Sequence, residues 1–309
     1  MTKYLPEGIL YSSPENKLIL SQEKYIEEAY YKGTVIEARA VSCNSNHDLW
    51  VDLGCMSGLI PRLETAYGIE DGSVRDIAII SKVNKPVCFK ITGFDTMPDG
   101  KKIALLSRKA VWQDCMENYL SALVPGDVVT VKITCLESFG AFVDIGCGIS
   151  SLIPIDSISV SRLSHPSDRF KVGDVIKAVV KTISPDNKIC LSHKELLGSW
   201  EQNAENFSPG ETVSGIIRSI ESYGIFVELA PNLAGLAEYK PGLSVGMQAS
   251  VYIKSIIPQK MKIKLIIVDA FDAKYQPAPP VYYTNLEHID SFEYAPSQSG
   301  RSIRTDFLQ

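Results

Sequence analysis

One short pattern, repeated three times, constrains this chain of 309 residues more than any other feature. The pattern is an aromatic residue, Gly, an apolar residue and Phe, followed by alternating apolar and acidic residues. Its clearest copy spans 139–146, a second spans 223–229, and a looser copy spans 47–54. The copies are 92 and 84 positions apart, measured between Trp50, Phe142 and Phe226. Such a spacing predicts tandem domains rather than a solenoid of short repeats.

The central copy predicts a strand with one apolar face and one unusual face. Strand alternation places Val143 and Ile145 on one side, which suits a core, and Phe142 with Asp144 on the other. An aromatic side chain on the outside of a small barrel can stack on unpaired bases. Packing on a linker or a neighbouring domain is the alternative explanation for such a residue. The recurrence of the pattern favours stacking.

The charge distribution bears on which ligands the chain can bind. The formal net charge is −5, but the three repeats together carry +1 and the termini and linkers carry the negative balance. Binding dominated by phosphate contacts is therefore disfavoured, and stacking with modest help from charge fits better.

The sequence contains cysteines, glycines and carboxylates, but not at the spacings that metal binding, phosphate binding or catalysis requires. The seven cysteines include no Cys-x-x-Cys pair, so we expect a reducing compartment and no metal site. Glycine-rich phosphate loops are also missing. The carboxylates Asp52, Asp144 and Glu228 recur once per repeat, which indicates a structural role. We predict no enzyme and no cofactor.

No apolar run approaches the length of a membrane helix, and the first residues contain no apolar core of a signal peptide. We therefore predict a cytoplasmic protein with no membrane partner.

The periodicities predict five short strands in each unit, with a long connection between the third and fourth strands. The predicted fold is therefore mainly β, with three tandem five-stranded OB-fold barrels joined by short α-helices. The predicted domains are an N-terminal segment and helix (1–30), a degenerate repeat one (31–107), a linker helix (108–123), repeat two (124–192), a second linker helix (193–207), repeat three (208–269) and a C-terminal tail (270–309).

Three finer predictions concern the segments outside the strands. Residues 1–20 are predicted to be irregular before a helix that Ser21 caps. The apolar run 77–80, inside the insertion of repeat one, is predicted to pack on the N-terminal helix or on a partner. In the tail, 281–283 and 292–294 are predicted to pair as strands against the last domain.

Repeat two resembles the S1 (S-one) RNA-binding domain. The resemblance rests on Gly126-Asp127, on Phe139 to Gly146, on Ser151 to Ile153, on Gly173 to Val175 and on Ile189 to Lys194. Repeat three is similar through Gly210 to Ile220, Tyr223 to Leu229 and Gly235-Leu236. The whole chain resembles the short, three-repeat relatives of ribosomal protein S1 in Gram-positive anaerobes.

The resemblance implies which residues contact RNA. The family's face carries two aromatics, a His after the third strand, an Asp after the fourth and an Arg that opens the fifth. The matching RNA-binding candidates are Phe139, Phe142 and Lys188 in repeat two, Tyr223, Phe226 and Lys262 in repeat three, and His47 and Trp50 in repeat one. Pro154, Glu238 and Pro61 occupy the place of the family's His. Strong sequence-specific recognition is therefore not expected, whereas stacking is.

Two functions follow as expectations. The first is single-stranded RNA (mRNA) binding through aromatic OB-fold faces, in association with the 30S ribosomal subunit and in translation. The alternative is an adaptor or regulatory protein that docks on the ribosome or on a ribonuclease mainly through protein contacts. Repeat one, whose motif lacks the Gly-x-Phe turn, fits the second role best.

Overall fold

The computed structural model describes residues 4–272 and 278–307. Their contacts divide the chain into two compact units. Unit one contains the N-terminal residues to Leu123 together with Asp144–Ser150, and unit two contains Val124–Val143 and the chain from Ser151 onward.

Three closed five-stranded barrels form the body of the protein, which confirms the predicted fold class. Barrel one comprises β1 (Ile36–Cys43), β2 (Leu49–Asp52), β3 (Ser57–Ile60), β4 (Pro86–Thr96) and β5 (Lys102–Ser107). Barrel two comprises β6 (Val128–Glu137), β7 (Gly140–Gly146), β8 (Ile149–Pro154), β9 (Val175–Ile183) and β10 (Ile189–Ser192). Barrel three comprises β11 (Thr212–Glu221), β12 (Gly224–Ala230), β13 (Leu233–Ala237), β14 (Gln248–Ile257) and β15 (Lys262–Phe271).

Each barrel closes in the same way. The first three strands form an antiparallel meander, and the fifth strand pairs in parallel with the third and antiparallel with the fourth. Alternate residues point inward, so that β15 reads exposed, buried, exposed along its length. The inward residues are mostly Val, Ile, Leu and Ala, and they form the cores of barrels one and three. This alternation explains why a period-two sequence pattern identifies the strands.

The N-terminal segment is more regular than its sequence predicts. A helix, α1 (Pro14–Leu20), lies inside the stretch expected to be irregular. Ser13 accepts a hydrogen bond from the backbone N–H of Asn16, and Pro14 takes the first helical position, where its missing N–H costs nothing. The next helix, α2 (Glu23–Lys32), follows Gln22 rather than Ser21 as its cap.

The insertion of barrel one contains a single helical turn, α3 (Ile77–Ile80). Ile79 is buried in the same cluster as the barrel-one strands and Ile26 of α2, whereas Ile77 and Ile80 are exposed. Ile79 thus packs on both the barrel and the N-terminal helix, which agrees in part with the prediction for this run, and the other three residues of the run are exposed. Helix α4 (Arg108–Asn118) follows barrel one, and Ser107 caps its first turn.

The second linker was predicted to be one helix over 193–207, but the structure shows two separate helical segments there. A 3-10 turn, Lys194–Leu197, stops at Gly198, and α5 (Trp200–Ala204) then begins with a capping box between Ser199 and Gln202. Gly198 has a φ of +82°, a left-handed conformation that favours glycine, and a Cβ there would come within 2.7 Å of the Tyr283 ring.

The tail prediction is wrong in part. Residues 281–283 form no strand. Tyr282 instead accepts a hydrogen bond from the Lys177 backbone and lies edge-on to the His193 ring, so this segment packs on barrel two. A strand does form near 292–294, but this strand, β16 (Ser291–Glu293), pairs with β17 (Arg304–Asp306) and not with a strand of barrel three. We call this pair the tail hairpin.

Candidate nucleic-acid interface

The two aromatics of barrel two form an exposed pair. The ring centroids of Phe139 and Phe142 are 5.8 Å apart and their planes are perpendicular. Phe139 is 54% exposed and Phe142 is half-buried. Gly140 allows this arrangement because β7 passes very close to β8 there, and a Cβ on Gly140 would lie 2.5 Å from the Ile153 carbonyl oxygen.

Barrel three repeats this geometry. Tyr223 and Phe226 are 6.1 Å apart at an interplanar angle of 87°, and Tyr223 is 68% exposed. Gly224 again sits under the third strand, where a Cβ would lie 2.5 Å from the Ala237 carbonyl oxygen. The half-buried Leu236 is the strand partner of Phe226 and extends the apolar surface. Both pairs offer a ring face of the kind on which bases stack.

The two predicted lysines are both solvent-exposed. Lys188 directly precedes β10, and its ammonium group lies 2.7 Å from the Asp186 carboxylate. That pair is exposed on both sides, so it contributes little stability, and an RNA phosphate can compete for the lysine. Lys262 is the first residue of β15 and pairs with Ile257.

Barrel three also carries basic residues that the sequence comparison with the family missed. A depression of about 660 Å³ beside Tyr223 is lined by Lys240, Lys254, Lys264 and Tyr239, with Glu238 as its one carboxylate. The signal for Lys264 was present in the sequence, because Lys264 continues the alternation of the predicted Lys262 with buried Ile263 and Leu265. The contribution of Lys254 depends on the pairing of β14 with β15, which a local pattern does not show.

Barrel one differs from the other two barrels at the first two positions of the motif. His47 adopts a left-handed conformation (φ 64°) and lies 3.8 Å from the Asp76 carboxylate. Asp48 stands where the other copies have glycine, and its carboxylate accepts the backbone N–H of Arg62. Trp50 is half-buried opposite Leu59. Trp50 therefore occupies the same strand position as Phe226, which lies opposite Leu236, whereas His47 lies in the loop before β2.

Two lysines at the start of β5, Lys101 and Lys102, already contact carboxylates. Lys102 contacts the carboxylates of Glu23 and Glu27 and lies over the Phe94 ring, while Lys101 pairs with Asp99. A phosphate would have to displace these contacts.

Asp144 does not lie on the open face beside Phe142, as strand alternation predicts. It is buried, and its carboxylate accepts the backbone N–H groups of Glu7, Gly146 and Gly148. Glu228 is buried as well and binds Arg169 at 2.6 Å and also Arg218. Both carboxylates therefore have the structural role that their recurrence indicates, by different contacts.

Other ionisable groups show no catalytic arrangement in the part of the chain that the structure describes. His193 is completely buried, and burial lowers its pKa to about 4. Its Nδ1 atom lies 3.1 Å from the Ile158 carbonyl oxygen. Within 4–272 and 278–307, no group of three or more His, Cys, Asp or Glu side chains is placed to hold a metal ion. No helix in those ranges is both long enough and apolar enough to span a membrane.

Fold and site together define a class: tandem OB-fold barrels that present aromatic pairs. Comparison with known families gives the particular family. Residues 123–194, which include barrel two, match the S1 RNA binding domain.

Relatives extend the match beyond that domain. The small ribosomal subunit protein bS1 of Staphylococcus aureus (strain COL) is 30% identical over 261 residues, covering 79% of this chain and 63% of the relative. A bS1 homolog of Bacillus subtilis (strain 168) is 38% identical over 142 residues, covering 44% of this chain and 37% of the homolog. The chain therefore contains an S1 RNA-binding domain and is similar to bS1 proteins over most of its length, and it spans somewhat under two thirds of the length of the curated relatives it matches.

Among solved structures, a multidomain protein with nucleic acid binding domains from Streptococcus pneumoniae is similar to this chain, and the match covers 77% of this chain and 74% of the S. pneumoniae chain. Its identity is 13% and its TM-score is 0.25, which is too low to support an argument.

Proposed function

We propose that the chain binds single-stranded RNA, messenger RNA included, through the aromatic faces of barrels two and three, and that it acts in translation with the 30S ribosomal subunit as a partner. The observation that carries the proposal is the repeated perpendicular pair, Phe139 with Phe142 and Tyr223 with Phe226, on barrels of a chain that contains an S1 RNA-binding domain. Stacking on such rings tolerates any base, since every base has a π-face.

The charges of the barrels agree with a stacking mode. Barrel three adds the lysines around Tyr223, and barrel two adds Lys188, but the repeats sum to only +1. Few phosphates can be neutralised, so affinity should depend only moderately on salt.

The role is proposed to be non-catalytic and cytoplasmic. Its support is the similarity to ribosomal bS1 proteins and the structural use of the recurring carboxylates Asp144 and Glu228.

Barrel one is proposed to serve mainly as a scaffold. Its aromatic positions lack the Gly-x-Phe turn, and two of its lysines, Lys101 and Lys102, are paired with carboxylates. Ile77 and Ile80 are 65% and 44% exposed on α3, which favours the adaptor role for this barrel in particular.

Fluorescence anisotropy with a labelled single-stranded oligonucleotide tests the RNA claim, with a duplex of the same sequence as the control. We expect the single strand to bind more tightly. Co-sedimentation with purified 30S subunits tests the partner. Preference for the duplex would contradict the first claim, and absence of the protein from the 30S fraction would contradict the second.

A further inference from the structure

A second basic cleft lies in unit two, outside the aromatic faces. Its walls are the barrel-two loop 155–163, Lys194 and the tail hairpin, and its volume is about 530 Å³. That volume falls in the range of ordinary small-ligand sites. Three cations line the cleft, Arg162, Lys194 and Arg304, against the single carboxylate of Asp156.

One buried residue holds the three walls together. The Asn232 side chain accepts the backbone N–H of Val160 and donates to the Lys194 carbonyl oxygen. The Tyr294 hydroxyl, from the tail hairpin, donates to the Asn232 backbone carbonyl oxygen at 2.6 Å. Because Asn232 is fully buried, these contacts fix the cleft before any ligand arrives.

The lining combines the groups that a nucleotide needs. Phe292 contributes a half-buried ring, and Arg162 has a side chain that is 77% exposed and only a long contact of 3.8 Å to Glu221. Arg304 contacts Asp306, an exposed pair that a phosphate can replace. Within the described residues, the buried hydroxyl of Ser161 has no hydrogen-bond partner, although it lines this cleft. A phosphate oxygen can accept from the exposed cations Arg162 and Arg304.

The cleft continues directly from the aromatic pair of barrel two. Its first residue, Ile155, donates its backbone N–H to the carbonyl oxygen of Phe139 at 3.0 Å. A strand that stacks on Phe139 therefore reaches the cleft without leaving the surface of barrel two.

We propose that this cleft is a second RNA subsite, in which the tail hairpin binds the nucleotides next to those stacked on Phe139 and Phe142. The inference rests on the proposed function, because it assigns further nucleotides of the same single strand. An acidic peptide of a partner protein would satisfy the cations but would make no use of the Phe292 ring next to the stacking pair.

The test compares oligonucleotides of about 4 and about 12 nucleotides, since one OB fold covers roughly 4–16. In the full chain, Arg304→Ala and Phe292→Leu should each weaken binding of the longer oligonucleotide by about 5-fold or more and leave the shorter one unchanged. Leucine keeps the apolar contact of Phe292 with barrel three and removes its ring face. Arg301→Ala is the matched control, because it removes an exposed arginine between the two hairpin strands that does not line the cleft.

The outcomes separate the two claims. Equal effects of Arg304→Ala and Arg301→Ala on the longer oligonucleotide would overturn the subsite while leaving the aromatic faces intact. Failure of the wild type to bind either oligonucleotide would overturn the proposed function, and the subsite with it. Displacement of the longer RNA by an oligoglutamate peptide, lost in Arg304→Ala but kept in Arg301→Ala, would overturn the subsite in favour of a protein partner.

Discussion

Single residues decide which parts of the interface are visible in the sequence. The pair Phe139 and Phe142 is predictable because both residues and Gly140 lie within four positions of each other. The burial of Asp144 is not predictable in this way, because one of its donors, the Glu7 backbone, lies 137 positions away. The same limit applies to Lys254, which reaches the depression beside Tyr223 through strand pairing.

The lysines beside Tyr223 give a prediction at this scale. Lys254→Gln and Lys264→Gln should each reduce the slope of log affinity against log salt by about 0.7, because each removes one contact to a single-stranded phosphate. The measurement is a salt titration of oligonucleotide binding. Lys260→Gln is the control, since Lys260 is exposed nearby but does not line the depression. An unchanged slope in both test variants would show that these lysines contact no phosphate.

At the scale of elements, the strands were predicted well because apolar residues alternate with polar ones along each strand, and the barrel buries the apolar residues. The connections were predicted less well. Helix α1, the break at Gly198 and the path of Tyr282 each depend on a cap, a left-handed glycine or a distant contact that hydrophobic periodicity does not encode. The tail hairpin is a further example, because the pattern of either strand alone does not show that β16 pairs with β17.

The N-terminal segment of unit one carries a cluster of buried acids. Burial would raise the pKa of Glu7, but the charges of Arg108 and Lys82 outweigh it and lower the pKa to about 2. Burial raises the pKa of Glu37 to about 7, although the Gly8 and Tyr11 N–H groups donate to it. Burial, and then repulsion from Glu7, raises the pKa of Asp144 to about 6.

These shifts predict a stability maximum in mildly acidic solution. A raised folded-state pKa stabilises at low pH and loses its effect as pH rises, here between about 4 and 7 for Glu37 and Asp144. The lowered pKa of Glu7 acts oppositely, and its contribution disappears as pH falls from 4.5 toward 2. Unit one should therefore be most stable near pH 4–5 and lose several degrees of melting temperature by pH 8, at about 4 °C per kcal/mol.

Thermal unfolding followed by tryptophan fluorescence measures this profile. A Trp200→Phe background removes the unit-two signal and leaves Trp50 and Trp112, both in unit one. The indole N–H of Trp112 donates to the Cys147 carbonyl oxygen. A melting temperature that rises steadily from pH 4 to pH 8 would contradict the raised pKa values of Glu37 and Asp144.

At the scale of the whole molecule, unit two contains barrel three and all of barrel two except Asp144–Ser150, and a buried ionic link joins the two barrels within it. Arg169 comes from barrel two, and Glu228 with Arg218 from barrel three. Arg218 also lies 3.2 Å from the Asp168 carboxylate. The link brings together residues from separate repeats, so neither repeat alone predicts it.

Glu228→Gln should destabilise unit two by about 3–5 kcal/mol, because it leaves two buried guanidinium groups without their shared carboxylate. Urea unfolding measures the loss. The control Glu205→Gln removes an exposed carboxylate and should change stability by less than about 0.5 kcal/mol. Equal stability of the two variants would mean that the ionic link does not hold the barrels.

The central claim is that the aromatic pairs of barrels two and three hold single-stranded RNA, and the dissociation constant of the double variant Phe142→Ala/Phe226→Ala tests it most directly. Each stacked base contributes about 1–3 kcal/mol, so the double variant should bind at least about 30-fold more weakly while its circular dichroism stays that of the folded protein. Trp50→Ala in barrel one is the matched control and should change the constant less than about 2-fold. An unchanged dissociation constant in the folded double variant would contradict the stacking account.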